Sequence, residues 1–332
     1  MSAAGIDDNA LESNESTPLS ATRFKIAAAH AAPVLLDKAG SLTRAIHWIE
    51  EAGKRGVRLL GFPETFVPGY PYWLAVYSLS EQTAMNRRYF DESVTISGPD
   101  LDGVKAACKA HKVNVVLGIS ERDQGTLYNS QLFISDNGTI VGIHRKLQPT
   151  MPERYLWGQG DGSTLKAFDL PVGRVGGLIC GENSMNLARH ALILQHEQIH
   201  VASWPGLAAM KNFAKWFTPH VAALSRVHAY SGGCFVVAAQ DPMTQANIDV
   251  IETALGAQDK LQAGSGTSAI HGPMGGVIAS SEDSVEGLVI AEIDYADIAS
   301  AKLLHDSAGH SARSEILSMW VDTARKDPLR TS

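Results

Sequence analysis

From Phe24 to Phe62 the chain reads strand, helix, strand, and that order constrains the fold more than any other feature. Phe24–Ala32 alternates as a strand does. Ser41–Arg55 sets Ala45, Ile46, Ile49 and Ala52 at helical spacing, and Val57–Phe62 is a second short apolar run. Two parallel strands need a crossover between them, and a helix is the usual one. The alternation then repeats. A helix over Leu101–His111 leads into a strand at Val113–Ile119. Val175–Ile179 precedes a helical pattern at Leu187, Ala191, Leu192 and Leu194. Strands at Ile199–Trp204 and Cys234–Gln240 enclose a long helix expected over Lys211–Ser231. Thr83–Tyr89 reads as a polar, exposed helix. Tyr128–Ile134 and Thr139–His144 flank Asp136-Asn137-Gly138, a hairpin signal. Further strands are expected at Thr267–Ile270, Gly276–Ser280 and Gly287–Ile293. The fold class is α/β.

With 332 residues, 45% of them hydrophobic and 19% charged, the chain is long enough to bury a large core. A formal charge of −7 gives no reason to expect nucleic acid or an anionic membrane as partner. No apolar run reaches the length of a membrane span, and the N-terminus lacks a signal-peptide pattern. Met1–Thr22 is polar and expected to be a disordered leader. Three cysteines, Cys108, Cys180 and Cys234, are too few and too scattered for a disulfide framework, which points to a reducing cytoplasm. The twelve histidines are dispersed, so no metal site is expected, and no cofactor motif stands out.

The chemistry-bearing stretch is Gly173–Asn183. An apolar strand ends on Cys180, Gly181 follows at once, and a helical pattern begins shortly after. A nucleophile on such a corner sits beside free backbone N–H groups, and a nearby cation or helix terminus would favour its thiolate. Most free cysteines simply pack as small hydrophobes, so partners must be found elsewhere. Cys234 and Cys108 suit that plainer role. Glu64 lies just past the second strand, wedged among Phe62, Pro63, Phe66 and Val67. Strand carboxyl ends are where α/β proteins gather their sites, and an apolar setting raises a carboxylate's pKa toward that of a useful base. Pro68-Gly69-Tyr70-Pro71-Tyr72-Trp73 is an aromatic loop suited to line a pocket. Lys146 closes the hairpin strand, and Pro149–Gly162, with Glu153, Arg154 and Trp157, is a long irregular loop of the kind that carries function.

Glu64, Lys146 and Cys180 in that order, within Gly-Phe-Pro-Glu-Thr-Phe (61–66), His-Arg-Lys-Leu (144–147) and Cys-Gly-Glu-Asn (180–183), resemble the nitrilase superfamily of carbon–nitrogen hydrolases. The resemblance runs from about Phe24 to Arg313. Pro-Gly-Tyr-Pro-Tyr-Trp (68–73), the 153–162 stretch, Ser-Trp-Pro-Gly (203–206) and Gly309-His310 are similar to its nitrilase branch. It implies a single-domain, four-layer α-β-β-α sandwich over 23–300, with a C-terminal tail over 301–332 that serves assembly. The same resemblance implies dimers and higher spirals. It makes Cys180 the nucleophile, Glu64 the general base and Lys146 the stabiliser of developing charge, with Glu153 as a second carboxylate that orients Lys146 or substrate. Tyr70, Tyr72, Trp73, Trp157, Gly181 and Trp204 would contact an aliphatic or arylaliphatic nitrile. No cofactor is implied. Two departures stand out: many nitrilases carry Trp where this chain has Gly181, and the usual Gly-His-Tyr-x-Arg-Pro tail reads Gly309-His310-Ser311-Ala312-Arg313-Ser314. Three alternatives stay open from the residues: an amidase, a nitrile- or cyanide-hydrating activity on the same fold, and a non-catalytic assembly protein. A cysteine–histidine hydrolase using His220 or His271 is a weaker fourth.

Overall fold

The computed structural model describes residues 22–282 and 285–326. Apart from Thr22, the expected leader lies outside the described residues. Among the described residues no helix is long and apolar enough to cross a membrane.

One sheet runs β13(Gly287–Asp294)–β1(Arg23–His30)–β2(Val57–Gly61)–β3(Asn114–Asp123)–β4(Thr126–Ile134)–β5(Ile140–Arg145), with the short β6(Trp157–Gly158) also paired to β4. The other runs β12(Val277–Ser280)–β11(Ala269–His271)–β10(Phe235–Gln240)–β9(Ile199–Trp204)–β8(Gly173–Ile179)–β7(Phe168–Leu170). β1, β2 and β3 are mutually parallel, as are β8, β9 and β10.

Period-2 alternation divides each strand between two cores. Ile26 and Ala28 of β1, Leu59 of β2 and Val116 of β3 face Val175, Ile199, Val201, Phe235 and Val237 of the second sheet. Ala27, Ala29, Leu60, Val115 and Leu117 face the other way, onto α1(Lys38–Lys54) and α3(Asp102–His111). Beyond the second sheet lie α4(Asn186–Ile193) and α5(Phe217–Gly232), over Leu178 and over Val236 and Ala238. The layers are therefore α-β-β-α. At roughly 25 cal/mol per Å² of apolar surface buried, the inter-sheet layer is the main force holding the halves together.

A polar clamp crosses that layer at one end. Gln131 of β4 donates to the Val201 carbonyl (3.0 Å) and to Ser203 Oγ (2.8 Å), and Ser203 donates to the Phe62 carbonyl at 2.8 Å. The segment after β2 then lies against β3 through Val67 N–H to the Gly118 carbonyl and Ser120 N–H to that of Val67. Gly118 has to be glycine here, because a Cβ would sit 2.1 Å from the Pro63 carbonyl oxygen.

Several sequence expectations need correction. The helix expected from Lys211 starts only at Phe217, because Met210 bridges to Leu261 and Lys211 N–H bonds the Lys260 carbonyl, which holds that stretch in turns. The helix α2(Thr83–Asp91) is not simply exposed: Met85 and Tyr89 are buried, and Tyr89 donates to the Gly69 carbonyl. A helix α6(Gln245–Leu255) was not foreseen, although Thr244 caps it by accepting from Asn247 N–H. β3 and β4 extend into a further hairpin around Gln124-Gly125, and α7(Ala296–Leu304) follows β13. The tail then returns over the fold, where Met319 and Val321 pack near Leu147, Leu165 and Leu178.

Gly118→Ala is expected to lower the unfolding free energy by about 1–3 kcal/mol, as overpacking does, read by urea denaturation. The Pro63–Thr65 turn must move to admit the methyl, so turnover should fall as well.

Candidate active site

Four side chains from four chain segments meet at the end of the sandwich where the clamp lies. Glu64 follows β2 and its N–H bonds the Trp204 carbonyl at the end of β9, 3.3 Å away. Lys146 follows β5, with its N–H on the Asn129 carbonyl of β4. Glu153 sits in a 3-10 turn over Met151–Tyr155, entered through a capping box with Thr150. Cys180 follows β8 directly and opens a 3-10 turn over Cys180–Ser184.

Three non-glycine residues at these approaches adopt left-handed backbone: Thr65 (φ 41°), Met151 (φ 50°) and Cys180 (φ 49°). Such conformations cost about 1–2 kcal/mol each and persist where surrounding contacts impose them. The corner expected at Cys180 is thus a strained elbow.

The Lys146 ammonium is fully buried, 2.8 Å from Glu64 Oε1 and 2.7 Å from Glu153 Oε2. Asn129 Nδ2 also donates to Glu64 Oε1 (2.6 Å). Thr150 N–H donates to Glu153 Oε2 (2.7 Å), and Tyr70 OH to Glu153 Oε1 (3.0 Å). One oxygen from each of Glu64 and Glu153 lies with Cys180 Sγ inside a group whose atoms are all within 4.8 Å of one another. Glu64 Oε2 has no hydrogen-bond partner.

The electrostatics follow from burial. Burial pushes Glu64 up to about 7, with the charge of Glu153 adding to the rise and Lys146 opposing it. Burial works against the charge of Lys146, but Glu153 and Glu64 more than offset it, so the ammonium is held protonated. Cys180 differs from the sequence reading. Burial, then the charge of Glu64, push the thiol well above its ordinary value, and Lys146 and the Gly181 N–H do not reverse this. The resting group is a thiol, not a stabilised thiolate. Elsewhere, burial raises Cys108 to about 12 and holds Cys234 well above a free thiol.

Of the aromatic candidates, Tyr70, Tyr72, Trp73 and Trp157 share one apolar cluster and Trp204 belongs to another. Tyr70 stacks edge-on with Tyr72 and lies beside Trp157. Tyr72 OH donates to Asp241 Oδ2 (2.9 Å), and the indole of Trp157 to Ser120 Oγ. Trp73 is fully buried, edge-on to Tyr89, with its indole N–H on Asn86. The Trp204 ring packs on Phe217 and His220. A Cβ on Gly181 would lie 2.8 Å from Thr150 Oγ1, so the glycine lets the 150–153 turn close over the elbow.

Sequence reasoning singled out neither Asn129 nor the role of Glu182. Glu182 is buried and accepts from Ile179 N–H (2.9 Å), Leu147 N–H (2.6 Å) and His144 Nε2 (3.0 Å). It therefore ties the Cys180 corner to the strand end that carries Lys146. Its place two residues past the cysteine was the available signal. Burial raises Glu182 and lowers His144, yet their mutual pairing outweighs it on both sides, helped by the Leu147 and Ile179 N–H donors to Glu182 and the Thr164 carbonyl that accepts from His144. Glu182 ends below the ordinary carboxylate value and His144 above the ordinary imidazole value.

Comparison with known proteins agrees with this geometry. The carbon–nitrogen hydrolase family profile matches residues 25–303. A nitrilase of Paraburkholderia phymatum is 39% identical over 92% of this chain and 88% of its own length. The chain belongs to the carbon–nitrogen hydrolase family, in its nitrilase branch. An aliphatic nitrilase of Rhodococcus rhodochrous is 36% identical over 93% of this chain and 85% of its own. A carbon–nitrogen hydrolase from Helicobacter pylori superposes with a TM-score of 0.68 over 85% of this chain and 93% of its own, at 18% identity, and so shares the fold.

Glu182→Gln leaves at least one of the three donors facing an amide N–H, an expected loss of about 1–3 kcal/mol. The pH dependence has a definite sign. The depressed Glu182 contributes stability above the unfolded value of 4.5 and loses it as pH falls; the raised His144 contributes fully below 6.5 and loses it as pH rises. The stability gap between parent and Glu182→Gln, measured by denaturant titration, should therefore peak between those values and narrow above them.

Proposed function

We propose that this protein hydrolyses an organic nitrile to the carboxylic acid and ammonia, with Cys180 as nucleophile, Glu64 as general base and Lys146 as stabiliser of developing charge. The observation that carries this reading is a Glu64 carboxylate oxygen gathered with Cys180 Sγ beside a buried ammonium, in a chain whose relatives are nitrilases.

A base whose pKa is about 7 is part ionised at neutrality and suited to take a thiol proton. Glu64 Oε2 accepts the proton of Cys180, and the sulfur adds to the nitrile carbon. The proton passes to the nitrile nitrogen, giving a thioimidate. Glu64 then activates a water that adds to the same carbon. The tetrahedral species is held by Lys146 and by the Gly181 N–H, each good donor contributing roughly 3 kcal/mol. Proton return to nitrogen releases ammonia and leaves a thioester. A second water gives the acid and restores the thiol. Every proton that leaves Cys180 or water goes to nitrogen, to sulfur or to the product.

Glu153 orients Lys146 in this scheme. It also keeps Glu64 protonatable near neutrality, since its charge raises the Glu64 pKa. Tyr70 donates to Glu153, and Tyr70, Tyr72, Trp73, Trp157 and Trp204 support a preference for aliphatic or arylaliphatic nitriles. Gly181 leaves room for Thr150 to pack against the elbow. Two further parts of the reading concern the setting. Exposed Val227, Tyr230, Met274, Leu303 and Leu304 support self-association through α5 and the C-terminal region. The three unpaired cysteines support a cytoplasmic setting.

Turnover of a nitrile panel should release ammonia and acid in equal amounts, with a covalent adduct on Cys180 by mass spectrometry and none after Cys180→Ala. Amide as main product, or an adduct elsewhere, would overturn the reading. kcat/KM should fall about tenfold per unit as pH drops below the Glu64 pKa. Glu153→Gln removes a charge that raises that pKa, so the acid limb should move to lower pH.

A further inference from the structure

Behind the Cys180 elbow, away from Lys146, lies a buried cluster that the proposed reaction does not use. Asn183, in the turn that follows Cys180, donates from Nδ2 to the carbonyls of Leu178 (3.2 Å) and Cys180 (3.1 Å). Those two acceptors fix which end of the amide is nitrogen, so Oδ1 faces His200 Nε2, 3.2 Å away. His200 Nδ1 lies 3.0 Å from Glu197 Oε2, and His228 Nε2 lies 2.6 Å from Glu197 Oε1. All four side chains are buried.

The hydrogen-bond partners decide the protons. Burial raises Glu197, but the two histidines take it down to about 2, so it accepts from both. An amide oxygen can only accept. His200 therefore bridges the Glu197 carboxylate and the Asn183 amide oxygen. His228 donates from Nε2, and its Nδ1 has no partner, which makes it neutral. Burial and the charge of His200 likewise hold His228 down at about 4. The two rings stack with centroids 3.8 Å apart. β8 makes room for this: a Cβ at Gly176 would lie 2.0 Å from Glu197 Oε2.

We propose that His200, anchored by Glu197 and backed by His228, is a positioning residue that sets the aim and strength of the Gly181 N–H through Asn183. The Cys180 carbonyl and the Gly181 N–H belong to one planar peptide unit and point in opposite directions. Gripping the carbonyl from behind therefore turns the N–H toward the sulfur and the charge that develops beside it. The grip also holds Cys180 in its left-handed conformation. Hydrogen bonds in series polarise one another. A ring N–H held on Asn183 Oδ1 by Glu197 makes Nδ2–H a better donor, which polarises the Cys180–Gly181 peptide and makes its N–H a better donor in turn.

This inference rests on the assignment of Cys180 as nucleophile, and the test separates the two. Parent protein, His200→Gln, Asn183→Ala and the double variant are compared by steady-state kinetics and by the rate of adduct formation on Cys180. His200→Gln breaks the ring bridge from Glu197 to Asn183, and should lower kcat and the adduct rate about tenfold while KM changes less than about twofold. Because His200 acts through Asn183, the double variant should be no slower than Asn183→Ala alone. Multiplying effects, or an unchanged adduct rate in folded His200→Gln, would overturn the proposal. Should that variant fail to fold, Glu197→Gln serves the same comparison, with the same kcat loss expected and an unchanged kcat overturning the idea. A parent protein that forms no adduct on Cys180 overturns the assignment beneath it as well.

Discussion

Everything at the site depends on one buried ammonium lying between two buried carboxylates. Lys146 touches Glu64 and Glu153 at 2.8 and 2.7 Å with no exposure to water. Removing one member of such a group typically costs about 3–5 kcal/mol, because a charge is left alone in a poor dielectric. The arrangement carries two negative charges against one positive, and burial settles the imbalance by lifting Glu64 toward neutrality. A carboxylate there can exchange a proton at physiological pH, which an exposed glutamate cannot do effectively. The thiol opposite is held protonated by the same surroundings.

The fold's part is to bring strand ends together and then lock their turns. Glu64 and Lys146 leave one sheet, Cys180 leaves the other, and Glu153 arrives on the turn between β5 and β6. Glu182 fastens the cysteine corner to the lysine strand, and Gln131 with Ser203 fastens sheet to sheet. Left-handed backbone at Thr65, Met151 and Cys180 shows where these attachments are strong enough to hold unfavourable geometry.

Much of this was legible in the sequence, for identifiable reasons. β1, α1 and β2 follow local periodicity, so strand, helix and strand are readable without any partner in view. Glu64 and Cys180 could be singled out because each follows an apolar run, where a polar residue needs a reason, whereas Lys146, after His144 and Arg145, gained its weight from the family resemblance. Asn129, Glu197 and His200 offered no such cue. They sit within or beside strands, and only tertiary packing reveals that Asn129 faces Glu64 and that His200 meets His228 of α5. The stretch 211–216 shows the reverse case. Its spacing favours helix, but pairing with residues 260–261 overrides that preference. The protonation state of Cys180 could not be read locally either, since it depends on how completely Glu64 and the elbow are enclosed.

Because sulfur and base stand on different sheets, the pocket acts as a vernier for their alignment. Sliding one sheet past the other by a single residue would displace the two groups by about 3.3 Å, enough to end any proton exchange between them. Heat, solvent or mutation that loosens the shared apolar layer should thus silence the chemistry before helices or strands begin to melt.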